Sequence, residues 1–192
     1  MRRTALLVIA TLLAAAAAAP PAFAARPAKG ARYLGVTTQR CLLNSGLLIR
    51  CPIEVRVSRS GRSAVVTFAQ VVYCPSGLRL QRVDAFRGAV SGSGRFGGRS
   101  EFTEDIPDEP ELGPGNLSGA FRQSFTARFT SSSRAAGWGQ MHLTARDEEG
   151  TARTECDSGE WYFSVRRRRA ASAAAAGGGV APRAIRRGWL PR

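Results

Sequence analysis

His142 is the only imidazole in the 192-residue chain, so any Ser-His-Asp or Cys-His nucleophilic site has to be built on it. Around it, Met141, Leu143 and Ala145 alternate with Gln140, His142 and Thr144. That alternation is a strand with one buried face, and it places His142 in the solvent-facing phase. No G-x-S-x-G element accompanies it. A glycosidase needs only two carboxylates across a cleft, and Glu54, Asp84, Glu155 and Glu160 lie on or near strand patterns. A chain with 14 acidic residues supplies such pairs by chance, and these four read as solvated strand residues. Glu101, Glu104, Asp105, Asp108, Glu109 and Glu111 crowd into residues 101–111, but without the D-x-[DN]-x-[DN]-G spacing of a calcium loop. Pro107 and Pro110 also restrict their convergence, so residues 101–115 read as a solvated loop, and no metal or cofactor is expected.

The cysteines are Cys41, Cys51, Cys74 and Cys156, with no C-x-x-C among them, and one histidine cannot complete a Cys/His zinc set. Downstream of an export signal, four cysteines read as two disulfides. Of the three connectivities, Cys41–Cys51 and Cys74–Cys156 are expected. The first pair brackets Leu42-Leu43-Asn44-Ser45-Gly46-Leu47-Leu48, whose Asn-Ser-Gly turn returns its flanks to each other. The second joins two strand ends, each followed by a Ser-Gly turn. Closing so long a loop contributes on the order of 4 kcal/mol in the chain-entropy model.

For binding, the suggestive residues are aromatic. Tyr73 and Tyr162 fall in the outward phases of their strands, and Trp138 flanks the strand of His142. Rings on one sheet face can stack on sugars while their polar tips hydrogen-bond. Positive charge is the other resource, with a formal net of +14. Twelve of the basic residues lie outside residues 31–165, which leaves that body only two charges positive. A folded, sequence-specific nucleic-acid reader would carry its basic stripe on the body, so none is expected. Arg166, Arg167, Arg168 and Arg169 open a tail with eight arginines and no acid, able to hold cell-wall polysaccharide or another anionic polymer by charge alone. Lys29 is the only lysine, and so strong an arginine preference beside long Ala and Gly runs matches a GC-rich coding bias.

The frame that must position these residues begins with an export signal. Arg2 and Arg3, an apolar run over 5–19 and Ala22-Phe23-Ala24 predict a signal peptide spanning residues 1–24. The run is short of the roughly 20 residues needed to cross a bilayer, so no transmembrane segment is expected. Residues 25–31 read as a linker, 32–165 as the domain and 166–192 as a disordered Arg/Ala/Gly-rich tail. Val65-Val66-Thr67-Phe68-Ala69-Gln70-Val71-Val72-Tyr73-Cys74 is the longest β-favouring run. In it Val66, Phe68 and Val72 take the inward phase and Gln70 is the exception. Ile53, Val55 and Val57, then Trp161, Phe163 and Val165, mark further half-buried strands. Phe121, Phe125 and Phe129 recur every four residues, but Gly119 and the surrounding Ser and Thr favour strand over helix. Eight to nine short strands without a convincing helix predict an antiparallel β-sandwich, with a closed barrel as the alternative.

The order of a strand ending in Cys74, then Ala127-Arg128-Phe129 with Ser133-Arg134-Ala135-Ala136-Gly137, then Leu143-Thr144-Ala145-Arg146, then Cys156-Asp157-Ser158-Gly159, resembles uncharacterised secreted β-domains of GC-rich bacteria. The resemblance covers residues 33–165 and implies the sandwich and the Cys74–Cys156 pairing; it brings no activity. The Cys41–Cys51 insertion and the acidic run depart from that pattern, and what is particular to this chain is expected there. The reading is a secreted non-enzymatic binding or structural module at the cell envelope or outside the cell, with a small extracellular glycosidase-type hydrolase as the alternative.

Overall fold

The computed structural model describes residues 25–43, 45–106, 116–168 and the backbone of 188–189. The expected signal peptide, the second half of the acidic run and residues 169–187 and 190–192 of the tail lie outside the described residues. The strands are β1 (Arg32–Leu42), β2 (Leu48–Val57), β3 (Ser63–Tyr73), β4 (Arg79–Ala89), β5 (Arg95–Ile106), β6 (Leu117–Ser131), β7 (Arg134–Arg146), β8 (Ala152–Asp157), β9 (Trp161–Arg167) and β10 (Gly188–Trp189). No described residue is helical, and the all-β class is as expected.

β4–β3 and β5–β6–β7 form two facing layers. Along one half of the molecule β2–β1–β9 connects β3 to β7, and along the other half β8 pairs with both. Hydrogen bonding therefore closes a ring through the six strands β1, β2, β3, β8, β7 and β9, with β4, β5 and β6 as wings. The layers of a sandwich and the closure of a barrel are both present.

Period-two patterning builds the interior. Val66, Phe68, Gln70 and Val72 point inward from β3, and Phe121, Phe125 and Phe129 all point inward from β6, because a spacing of four is twice the strand repeat. Phe125 stacks with Phe68, Phe86 and Phe163 at ring-centroid distances of 5.8, 5.9 and 5.4 Å. The indole of Trp161 lies where a Cβ at position 139 would stand, so Gly139 is required by the ring packed on it.

A second, smaller core lies on the outer side of β3 and β4. β2 pairs with β3 only between Ile53↔Phe68 and Val57↔Ala64. Beyond that, a register shift between Val36 and Arg40 lets the β1–β2 hairpin leave the sheet. The arm covers Ala69, Val71 and Val83 with Cys41 and Cys51. Two glutamine amides replace the lost ladder. Gln39 accepts from the Val71 N–H at 3.1 Å and donates to the Val71 carbonyl at 2.9 Å. Gln81 does the same to Leu42, at 2.7 and 2.9 Å. The expected insertion is thus the outer end of a hairpin, and both disulfides pair as expected, Cys41 with Cys51 and Cys74 with Cys156.

Three expectations are corrected. Glu101 to Ile106 belong to β5 rather than to a loop, because Phe102, Glu104 and Ile106 supply an inward phase that the acidic neighbours disguise. Arg166 and Arg167 end β9, and the Arg168 N–H bonds the Arg32 carbonyl at 2.8 Å, so the fold extends past residue 165; Gly188–Trp189 pairs with β4. Glu54 and Asp84 are buried, at 4% and 6% exposure, rather than solvated.

Glu54 shows why burial is tolerated on an outward phase. Burial disfavours its charge, but hydrogen bonds and charges from Arg56 and Arg32 outweigh that and hold the carboxyl below its ordinary value of 4.5. A depressed carboxylate stabilises the fold above the unfolded-state value and loses that contribution as pH falls through the folded one. Glu54→Gln should therefore be less stable than wild type near neutrality, and the difference should shrink as pH drops below 4.5 in thermal melts. A difference independent of pH would remove the ionic account.

Candidate functional site

In an antiparallel sheet, residues directly opposite each other point to the same side, so the register reads out the outer surface row by row. One row runs Thr126, Trp138, Tyr162 across β6, β7 and β9. Trp138 and Tyr162 are cross-strand neighbours, Tyr162 is 52% exposed, and its hydroxyl donates to Glu160 at 2.6 Å. That hydrogen bond, and then the charge of Glu160, push the Tyr162 phenol above its ordinary value. The Tyr162 N–H bonds the Thr38 hydroxyl at 3.0 Å, which anchors the strand beneath the ring.

On one side of this aromatic row stands Arg99, opposite Ser124, itself opposite Gln140. On the other side Arg95 faces Arg128 directly, and one step further Arg134 faces Arg166. All five arginines are exposed. No ion pair is recorded for any of them among the described residues. Like charges directly opposite are destabilising, and here two such pairs flank an aromatic pair. Arg166 was expected in a free tail; it lies in β9. Arg167 faces Tyr33 and Arg168 follows, while Arg169 lies outside the described residues. Sequence reasoning missed Arg95, Arg99, Arg128 and Arg134, because residues far apart in the chain become one patch only through strand register.

The third aromatic candidate, Tyr73, is in a different row. It faces Asp157, which faces His142, which faces Arg122, which faces Glu101, across five strands. Arg79 lies over the Tyr73 ring at 5.4 Å. His142 is solvent-facing as expected, and its Nδ1 is 2.6 Å from Asp157 Oδ2. Its Nε2 faces the Gln140 amide at 3.4 Å, where a triad would hold a nucleophile hydroxyl. Of the four carboxylates considered for glycoside cleavage, the sheet separates Asp84 from the other three. Asp84 points inward and Glu54 outward, Glu155 is exposed on β8, and Glu160 accepts from Tyr162. A surface groove near the acidic run is lined by Asp147 and Glu148, which are already held by Arg153 and Asn116.

Inside, a polar belt separates two apolar clusters. Asp84 accepts from both Arg82 and Gln70, Arg82 reaches Glu104 at 2.9 Å, and Gln70 accepts from the Trp161 indole at 3.2 Å. Arg82 also lies over Phe102 and Phe121, at 5.1 and 4.4 Å from the ring centroids.

No protein-family model and no curated protein matches the chain. Among the described residues no helix is long and apolar enough to cross a membrane, and no group of three or more His, Cys, Asp or Glu is placed to hold a metal ion.

Proposed function

We propose that this chain is a secreted, non-enzymatic binding module of the cell envelope whose outer β5–β6–β7–β9 face takes an anionic polysaccharide. The observation that carries the reading is the cross-strand Trp138–Tyr162 pair set between Arg99 on one side and the Arg95–Arg128 and Arg134–Arg166 pairs on the other. Aromatic rings offer faces to the C–H side of a sugar. Guanidinium groups offer bidentate donors to its carboxylates, sulfates or phosphates. The two disulfides fit an oxidising compartment, and the N-terminal pattern of residues 1–24 supplies the route there.

Binding of polygalacturonate, with neutral dextran as the control, tests this by calorimetry. Wild type should bind the acidic polymer with an affinity that falls as salt rises. The Trp138→Ala/Tyr162→Ala variant should lose about ten-fold or more at unchanged salt dependence. Arg128→Gln/Arg134→Gln should weaken binding and flatten its response to salt. Equal affinity for duplex DNA, insensitive to the aromatic replacement, would reduce the face to a nonspecific polyanion surface and overturn the glycan reading.

A further inference from the structure

The end of the β1–β2 arm is apolar in a way the two cores do not explain. Leu42, Leu43, Leu47 and Leu48 are 42%, 41%, 60% and 44% exposed, and they are most of the large hydrophobic side chains that the described surface leaves open. Leu42 and Leu48 face each other on the outer side of the arm. Leu43 and Leu47 lie past the covered core, on the phase of Cys41. Leucines therefore flank the Asn-Ser-Gly turn on both faces of the hairpin, whereas a hairpin made for one protein surface would show alternation.

Part of its backbone is closed by its own hydrogen bonds. The Leu43 N–H bonds the Leu47 carbonyl at 3.0 Å and the Gly46 N–H bonds the Leu43 carbonyl at 2.8 Å. The Gln81 amide satisfies both Leu42 backbone groups. Backbone groups paired in this way are suited to an apolar medium. Behind the leucines, Arg40 and Arg50 stand directly opposite each other, both exposed, with no ion pair recorded among the described residues. Cys41–Cys51 fixes the arm at the same level, so nothing has to be ordered on docking.

We propose that this stapled arm is a membrane-docking tip: the leucines enter the outer part of an anionic bilayer and Arg40 and Arg50 meet its headgroup phosphates. The apolar end with a basic collar is the order of chemistries found on crossing from acyl chains to headgroups. The tip lies on β1–β2 and the arginine–aromatic face on β5–β6–β7–β9, so either reading can fail while the other stands.

The test is cosedimentation of the chain from residue 25 onward, which contains every residue the structure describes, with phosphatidylglycerol–phosphatidylcholine vesicles. Wild type should bind, and should retain part of that binding at high salt because insertion is apolar. Leu47→Ser/Leu48→Ser should lower the partition coefficient about ten-fold or more, with polygalacturonate affinity unchanged. Arg40→Ala/Arg50→Ala should narrow the preference for anionic over neutral vesicles without abolishing it, because the arginine face keeps its charge. Unchanged partition of the leucine variant would overturn the proposal, since the vesicles would then be held by the arginine face alone. A lipid-free dimer that the leucine variant converts to monomer would overturn it too, by making a second copy the occupant.

Discussion

Asp84→Ala should destabilise the protein by about 3–5 kcal/mol, the range for removing one partner of a buried ion pair. Asp84 is 6% and Arg82 3% exposed. The carboxylate accepts from Arg82 at 2.7 and 2.8 Å and from Gln70 at 2.8 Å. Without it, the guanidinium keeps Glu104, whose side chain is 38% exposed, and the Gln70 amide loses its strongest acceptor. The belt occupies the seam where β4 and β5 approach each other without a backbone ladder, so Arg82 ties together two strands that the sheet does not. Arg82→Met combined with Asp84→Leu should recover part of the loss, because a well-packed apolar pair needs no compensating charge while the buried Gln70 amide still lacks its acceptor. Urea denaturation of the single and double variants decides it. A single-variant loss below about 1 kcal/mol would mean that water reaches the pair.

How far the fold was legible follows from which interactions are local. Alternation in β2, β3, β6, β7 and β9 placed the inward residues correctly, since a strand's phase is set by its own side chains. Gln70 looked anomalous because its partners, Asp84, Met141 and Trp161, are 14, 71 and 91 residues away. The end of β5 was concealed for a related reason. Glu104 is an inward-phase, half-buried residue paired with Arg82, and a carboxylate with a distant partner looks identical in sequence to a solvated one.

The candidate face was legible only in its aromatic part. Tyr162 and Trp138 could be assigned outward from period and neighbours, but that they stand side by side is a property of β7–β9 register. Summing charge along the chain hid the arginines of the body, and of the patch only Arg166 was named in advance. Residues 31–165 are nearly neutral in sum, yet Arg95, Arg99, Arg128, Arg134 and Arg166 share one face, while Glu54 and Asp84 spend their charge on Arg32, Arg56 and Arg82. A net charge is a property of composition; a patch is a property of topology.

The two disulfides should differ in what their removal undoes. Cys74–Cys156 spans 82 residues and Cys41–Cys51 spans 10, for which loop-closure entropy gives about 4–5 and about 3 kcal/mol. Geometry sharpens the contrast. β8 meets β3 at a single register pair, Tyr73↔Asp157, and Cys74–Cys156 lies beside it, so the longer bridge fastens the weakest joint in the hydrogen-bonded ring. Cys74→Ala/Cys156→Ala should therefore lower stability by about 4 kcal/mol and open amide exchange along β8. The β5–β6–β7 ladders, with continuous register from Ile106↔Leu117 to Arg95↔Arg128, should stay protected. Cys41→Ala/Cys51→Ala should lower stability less. Its exchange should be confined to the β1–β2 arm and to the Ala69, Val71 and Val83 surface beneath it, because the six-strand ring does not pass through the arm. Chemical denaturation with hydrogen exchange on both variants separates the two. If the shorter bridge proves the more costly to remove, or if loss of the longer one leaves β8 protected, then the ring is held by its packing and not by its clasp.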